Sequence, residues 1–384
     1  MPEKRYLVTP GPTPVPPEVL AATAAPMIHH RTPEFRAILA RVFDRLRQVY
    51  RTEHGVVLFA SAGTGAMESA VANLCSPGDR VLVVSHGFFG ERWASIARSY
   101  RCDVDHLQYE WGETPSADDV AGRLEQSDGV KVVFLTHSDT STGVVADIRS
   151  IAERINGSGA LIAVDAISSL AAVPLETDAW GLDAVVTSSH KALMSPAGLA
   201  AVAVSPAAAE AARTVTSPRF YFDWERMLAS HAKQDTPFSP AISLVLGLDV
   251  ALDLVLEKGL EAAHERHVRL GRACRAGVKA MGLELFSPDE DRAAVVTAVR
   301  VPPDIDSSAI VLSMRHRSSV TVVGGQGELK GKIVRIGHIG YIDVHDIATA
   351  LTALELALVE AGADVERGVA VSAALEAHAE PVTV

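Results

Sequence analysis

Val185-Val186-Thr187-Ser188-Ser189-His190-Lys191-Ala192-Leu193-Met194-Ser195-Pro196-Ala197-Gly198 is the stretch from which the fold follows. The apolar run at 184–186 reads as a buried strand. It gives way to small polar residues and then to one lysine, Lys191. The chain turns at Pro196 and Gly198 and re-enters an apolar run at 199–204, which reads as the next strand. Alone, Lys191 is either a surface charge, the usual place of a lysine, or an amine set for chemistry.

Upstream, short apolar runs at 56–60, 80–85, 103–107, 131–136 and 161–165 alternate with helical patterns at 66–74, 91–100, 116–126 and 147–155. Helices are also expected at 18–23 and 32–50. Repeated strand–helix pairs imply a mainly parallel sheet covered by helices on both faces, an α/β fold. Ligands of such sheets bind at the carboxyl ends of the strands. Those ends carry residues 61–65, 86–89, 136–143, 165–168 and 188–191, a set of small, polar and aromatic side chains with a few acids and one lysine. Ser61-Ala62-Gly63-Thr64-Gly65 joins a strand to a helix start, where free N–H groups suit an anion. Thr64 either caps that helix or hydrogen-bonds a phosphate, unless the segment is an ordinary tight turn. It lacks the third glycine of a dinucleotide fingerprint.

Downstream, Ser205 caps a short helix with Pro206 at its first position. Aromatic residues follow at 220–222, then a Pro-bounded loop at 233–240. A helix at 241–258 stops at Gly259. A helix at 261–281 leads to strands at 294–301, 320–323 and 333–336 and helices at 307–315 and 344–360, a smaller α+β domain. We expect an extended arm at 1–18, a large domain at 19–260 and a small C-terminal domain at 261–384, whose Ala- and Val-rich tail ends loosely. Residues 6–17 are extended and Pro-rich. They form either a surface arm or one lying across a neighbouring subunit or an active site.

The 384 residues allow two domains, and the net charge of −12 argues against nucleic acid or an anionic membrane as partner. Cys75, Cys102 and Cys274 have neither metal-ligand nor CxxC spacing, and His29 and His30 match no metal motif. No apolar run reaches a membrane span, and the N-terminus has no signal-peptide core. A cytoplasmic protein with small-molecule chemistry is expected.

Asp165 ends one strand, Lys191 another, and Phe89 follows a third. Pyridoxal 5′-phosphate uses all three kinds of group: an amine for a Schiff base, an acid for the pyridinium N–H, and a ring to stack on. It also uses a helix start for its phosphate. The segments TPGPTPVPPEV, SAGTGAMES, HGFFGER, LTHSDTSTGV, LIAVDAISSL, SSHKAL, TPFSPAISL and GKIVRIGHIG span nearly the whole chain. In that order they resemble the class V aminotransferases of fold type I, of the alanine–glyoxylate and serine–glyoxylate or serine–pyruvate kind.

The resemblance implies the cofactor and a role for each matching residue. Lys191 resembles the Schiff-base lysine, and Asp165 the acid that keeps the ring nitrogen protonated. A carboxylate paired with that cation should have a depressed pKa. Ala62, Gly63 and Thr64 resemble the phosphate cradle. Phe89 takes the stacking position, where relatives often carry tryptophan, and Ile167 the opposite ring face. Thr140 falls near the ring hydroxyl and His190 near the phosphate. Thr236, with Ser239 as the alternative, resembles a residue lent to the other subunit's phosphate, which implies a homodimer with shared active sites. Arg335 resembles the arginine that grips the substrate carboxylate, and Gly11 an arm residue lining the pocket. The residues alone also admit plainer readings: Asp165 as a strand-end acid, Phe89 as a core aromatic, Thr140 and His190 as loop polar groups, Arg335 as an ion-pair partner, Thr236 as a turn residue.

The implied reaction is ping-pong transamination from alanine or serine to glyoxylate or pyruvate. Rivals are a transaminase for aspartate, ureidoglycine or an aminophosphonate, a lyase or cysteine desulfurase on the same scaffold, and a non-enzymatic binding module. A desulfurase needs a mobile-loop cysteine, and residues 324–331 contain none.

Overall fold

Alternate residues along the central strands are apolar on both sides, and this pattern builds two cores from one sheet. The computed structural model describes residues 4–382. The chain runs through β1 (Tyr6–Leu7), α1 (Pro17–Thr23), α2 (Pro33–Tyr50), β2 (Gly55–Phe59), α3 (Gly63–Leu74), β3 (Arg80–Ser85), α4 (Phe88–Ser99), β4 (Asp103–Gln108) and α5 (Ala117–Gln126). It continues through β5 (Val130–Thr136), the small pair β6 (Ser138–Asp139) and β7 (Val144–Val145), α6 (Ile148–Ile155), β8 (Leu161–Asp165), β9 (Ala184–Ser188) and β10 (Ala200–Val204). The seven-stranded sheet has the order β2-β10-β9-β8-β5-β3-β4. Only β10 runs antiparallel to its neighbours. The carboxyl ends of β2, β3, β5, β8 and β9 therefore share one edge.

Val56, Leu82, Val133, Val164 and Val185 face one core with α2, α6 and the next long helices. Val57, Val83, Phe134, Ala163 and Val186 face the other with α3 and α4. Burial on both faces is what lets these strands read as continuous apolar runs.

Beyond the sheet come α7 (Pro206–Thr214), α8 (Trp224–His231), α9 (Ile242–Leu256), α10 (Leu260–Ala280), β11 (Val296–Arg300), α11 (Ser307–Arg317), β12 (Val320–Thr321), β13 (Val323–Gly324), β14 (Ile333–Gly337), α12 (Val344–Glu360) and α13 (Ala370–Ala379). Strands β11, β14 and β13 form a three-stranded sheet. It shares a core with α10, α12 and α13. Helix α10 belongs to both halves: Leu260 and Val268 pack in the large-sheet core, Leu270, Cys274 and Val278 in the small one.

Four local readings are corrected. Helix α3 starts at Gly63, not Ala66, and its N-cap is Ala62, so Thr64 lies in the first turn and caps nothing. The arm contains a strand: Tyr6 and Leu7 pair in parallel with Val320 and Thr321. The expected strand at 320–323 accordingly splits, its second half joining β14. The tail forms α13 against α10 and α12; its last two residues, and residues 1–3 of the arm, lie outside the described residues. Helix α8 was not expected. It starts at the cap Asp223, which accepts from the Arg226 amide, and it buries Trp224. Among the described residues no helix is long and apolar enough to cross a membrane.

Candidate active site

The connection from β9 to β10 is tied down by its own serines. Ser189 Oγ donates to the Pro196 carbonyl at 2.6 Å, and the Ser189 amide to the Leu199 carbonyl at 3.0 Å. This turn holds Lys191 inward, 8% exposed, with Nζ donating to the Pro10 carbonyl at 2.6 Å. Burial pulls the amine down to about 8; the Asp165 charge opposes this and Arg335 adds to it.

Asp165 ends β8, next to β9, and is 4% exposed. Its Oδ1 accepts from the Ile167 amide at 2.8 Å. Burial pushes this acid up to about 7, against the pull of the Ile167 N–H and of Lys191 and Arg92. The depressed pKa expected from the sequence is therefore not a property of the protein groups alone. It requires a cation set against the carboxylate.

Helix α3 begins at the carboxyl end of β2 without a side-chain cap. The amides of Gly63 and Thr64 accordingly find no acceptor among the described residues, an arrangement suited to an anion. Gly63 is needed there: a Cβ would lie 2.6 Å from Ile167 Cδ1 and 3.2 Å from Ser188 Cβ. Arg92 donates to Thr64 Oγ1 at 2.9 Å and stands 4.8 Å from the centre of the Phe89 ring. His190 shares a 2.9 Å hydrogen bond with Ser188 Oγ. Burial, then the Lys191 charge, lower its pKa to about 4, so at neutral pH the ring is uncharged.

Asp139, fully buried, orders the opposite wall. Its Oδ2 accepts from the Phe89 and Gly90 amides at 2.9 and 3.1 Å. Its Oδ1 accepts from the amide and hydroxyl of Ser141 at 3.0 and 2.6 Å. It thereby caps α4 and fixes Phe89 in the first turn. Arg335, from β14, reaches across to the turn between β6 and β7: Nη1 donates to the Thr140 carbonyl at 2.6 Å and Nε to the Gly324 carbonyl at 2.9 Å. It is 5% exposed, and burial lowers its pKa to about 10 against the pull of Asp139. The plainer reading of Arg335, a surface ion pair, does not describe it.

The arm lies over this chain's own site. The Thr13 amide donates to the His190 carbonyl at 3.2 Å, and the Thr13 hydroxyl to that of Lys191 at 3.2 Å. Gly11 has φ 142°, and a Cβ on it would overlap the Lys191 amine. Gly11→Ala is accordingly expected to cut turnover at least about tenfold while shifting the thermal midpoint little, since the arm is held elsewhere by β1. A midpoint that falls as steeply as the activity would show a folding defect instead.

The structure thus brings together Gly11, Ala62, Gly63, Thr64, Phe89, Thr140, Asp165, Ile167, His190, Lys191 and Arg335. Thr236 stays apart: its hydroxyl donates to the Phe238 carbonyl at 2.8 Å within its own loop, and Ser239 is exposed. Sequence reasoning missed Asp139, Arg92, and the carbonyls of Pro10 and Gly324. The amine, the buried acid with one oxygen left over, the uncapped helix start and the missing Cβ at Gly63 fit pyridoxal 5′-phosphate. Among the described residues no group of three or more His, Cys, Asp or Glu side chains is placed to hold a metal ion.

Comparisons agree with this geometry. A family model described as aminotransferase class-V matches residues 5–362. The soluble hydrogenase small subunit of Synechococcus sp. (strain PCC 6716) is 41% identical over 365 residues, covering 94% of this chain and 95% of its own. The serine–glyoxylate aminotransferase of Arabidopsis thaliana is 35% identical over 381 residues, covering 97% and 95%. The crystal structure of ureidoglycine–glyoxylate aminotransferase from Bacillus subtilis superposes with a TM-score of 0.93 at 29% identity, covering 99% of each chain.

Proposed function

The chain belongs to the class-V aminotransferases, and from that premise we propose that it moves an amino group from serine or alanine to glyoxylate or pyruvate in two half-reactions. It is an aminotransferase of fold type I, and its cofactor is pyridoxal 5′-phosphate. When bound, that cofactor supplies an electron sink for the charge left at the substrate Cα. The observation that carries the reading is the convergence on one site of three buried titratable side chains, Asp165 at the end of β8, Lys191 in the turn after β9 and Arg335 in β14.

In this reading Lys191 would hold the cofactor through Nζ, and the same Nζ would take and return the substrate Cα proton. Asp165 would pair with the pyridinium nitrogen. Ala62, Gly63, Thr64 and His190 would take the phosphate, Phe89 and Ile167 would flank the ring, and Thr140 would lie by its hydroxyl. Arg335 grips the carboxylate that donor and acceptor share, which orients both. Gly11 closes the pocket with its backbone. Thr236 serves the other copy in a homodimer, a role compatible with a hydroxyl that bonds only within its own loop here. The two cores joined through α10 are the large and small domains.

Serine as donor accords with the name of the Arabidopsis relative, and glyoxylate as acceptor with the names of both the Arabidopsis and the Bacillus relatives. A desulfurase is disfavoured because all three cysteines lie off the loop next to Arg335. The test is a panel of L-serine, L-alanine, L-aspartate and ureidoglycine against glyoxylate and pyruvate. Serine or alanine with glyoxylate should give the highest kcat/KM. A lead for aspartate or ureidoglycine would overturn the donor, and no amino transfer from any donor would overturn the reaction. Arg335→Lys should lower kcat/KM roughly 10- to 100-fold for donor and acceptor alike, because one planar fork serves both. A loss confined to one of them would remove Arg335 from the shared role.

A further inference from the structure

Among the described residues, Arg92 carries a positive charge that no carboxylate pairs with. It lies in α4, three residues after Phe89 and four after Phe88, so the helix sets it on the face of those two rings. The rings meet edge to face with centres 5.6 Å apart. The guanidinium carbon stands 4.8 Å from the centre of the Phe89 ring and 5.4 Å from that of Phe88, within reach of a cation–π contact with each. The two rings thus form a platform that aims the side chain. From it Nη1 donates to Thr64 Oγ1 at 2.9 Å.

This bond joins two elements with separate roots. Helix α3 follows β2 and α4 follows β3, and four strands lie between β2 and β3 in the sheet. The chemistry of the two groups fixes its direction. A guanidinium only donates, so the Thr64 oxygen accepts, and the hydroxyl keeps its own hydrogen to give elsewhere. No acceptor takes that hydrogen among the described residues. A bond received from a cation also polarises the hydroxyl and makes it a stronger donor. Thr64 lies in the uncapped first turn of α3, where the free amides already favour an anion. Burial dominates the shifts of Asp165 and Lys191, yet the Arg92 charge still favours the Asp165 carboxylate and disfavours the Lys191 ammonium, so it is felt inside the site.

We propose that Arg92 is a positioning residue for the cofactor phosphate, acting through Thr64: its guanidinium turns the Thr64 hydroxyl into a fixed donor to the anion. The proposal rests on reading residues 62–64 as the phosphate cradle. Arg92 itself touches the hydroxyl and the rings, and the hydroxyl touches the phosphate.

Pyridoxal 5′-phosphate and pyridoxal share the aldehyde and the ring and differ in the phosphate. Titrating cofactor-free protein with each, followed by absorbance, reads the phosphate contribution without turnover. Relative to wild type, Arg92→Gln should raise the Kd of pyridoxal 5′-phosphate at least about tenfold and move that of pyridoxal less than about twofold. Thr64→Val, which keeps the shape and removes the hydroxyl, should show the same selectivity. Adding Arg92→Gln to Thr64→Val should cost no more than about threefold further, because the two groups act in one line. If Arg92→Gln does not fold, Arg92→Lys carries the test: the loss should be smaller and equally confined to the phosphorylated aldehyde, since an ammonium lacks the planar fork. Equal weakening of both aldehydes would make Arg92 a packing residue and overturn the proposal. Losses that multiply in full in the double variant would overturn the route through Thr64. An unchanged Kd in Arg92→Gln beside a selective loss in Thr64→Val would remove Arg92 and leave the cradle standing. No selective loss in either variant would overturn the cradle itself.

Discussion

Lys191→Ala should lower kcat by at least about 10⁴-fold and leave a protein that no longer turns yellow with pyridoxal 5′-phosphate. Two roles vanish together, the covalent hold on the cofactor and the proton transfer at Cα. Nothing nearby replaces them. The other cations of the site, Arg92 and Arg335, are guanidinium groups, which neither attack a carbonyl nor give up a proton at neutral pH. Lys191→Arg should therefore be as inactive as the alanine variant. In the wild type, burial brings the amine down to about 8. The rate of cofactor capture should accordingly rise with pH through about 8 and level above it, where an exposed lysine would still be climbing at 10. Stopped-flow absorbance against pH checks this. Turnover within tenfold of wild type in Lys191→Ala would end the assignment, and a capture rate still rising steeply at pH 9.5 would show that the amine is not desolvated.

Much of this site was visible in the chain because its principal groups sit where apolar runs stop. Asp165 and Lys191 follow strands buried on both faces, so their positions on a common edge followed from the alternation alone. Arg335 lies inside a strand and was legible only through resemblance; its reach to the Thr140 carbonyl depends on how two sheets meet, which no local pattern encodes. Asp139 was hidden because an acid among serines and threonines reads as a turn residue, whereas its work is to bind the first amides of α4. Arg92 was hidden because a charge on an amphipathic helix reads as its solvent face. The Pro10 carbonyl has no side-chain signal. Helix starts were placed late at Gly63 and Phe88 because first turns rich in glycine or aromatics carry weak helical pattern.

Asp165→Asn should be nearly as damaging, and its pH behaviour separates electrostatics from shape. The amide keeps the size of the acid and the hydrogen bond from Ile167, but it cannot hold a pyridinium nitrogen protonated. Turnover should fall on the order of 10²- to 10³-fold, the usual effect of removing one preorganised charge partner. Cofactor should bind more than about 100-fold more weakly, since one half of a buried ion pair is gone. In the cofactor-free protein burial raises this acid from 3.8 to about 7. The folded chain then holds the proton more tightly than the unfolded chain, so the contribution of Asp165 to stability is present below pH 4. That contribution is lost progressively as pH rises toward and through about 7. Lys191, at about 8, begins to titrate only at the upper end of that window. The difference in unfolding free energy, variant minus wild type, should therefore grow from pH 4 to pH 7 without cofactor. It should shrink once cofactor supplies the missing cation. Equal slopes for both proteins across that range would mean that Asp165 is already ionised without a ring nitrogen beside it, and the pairing between this acid and the cofactor would lose its physical basis.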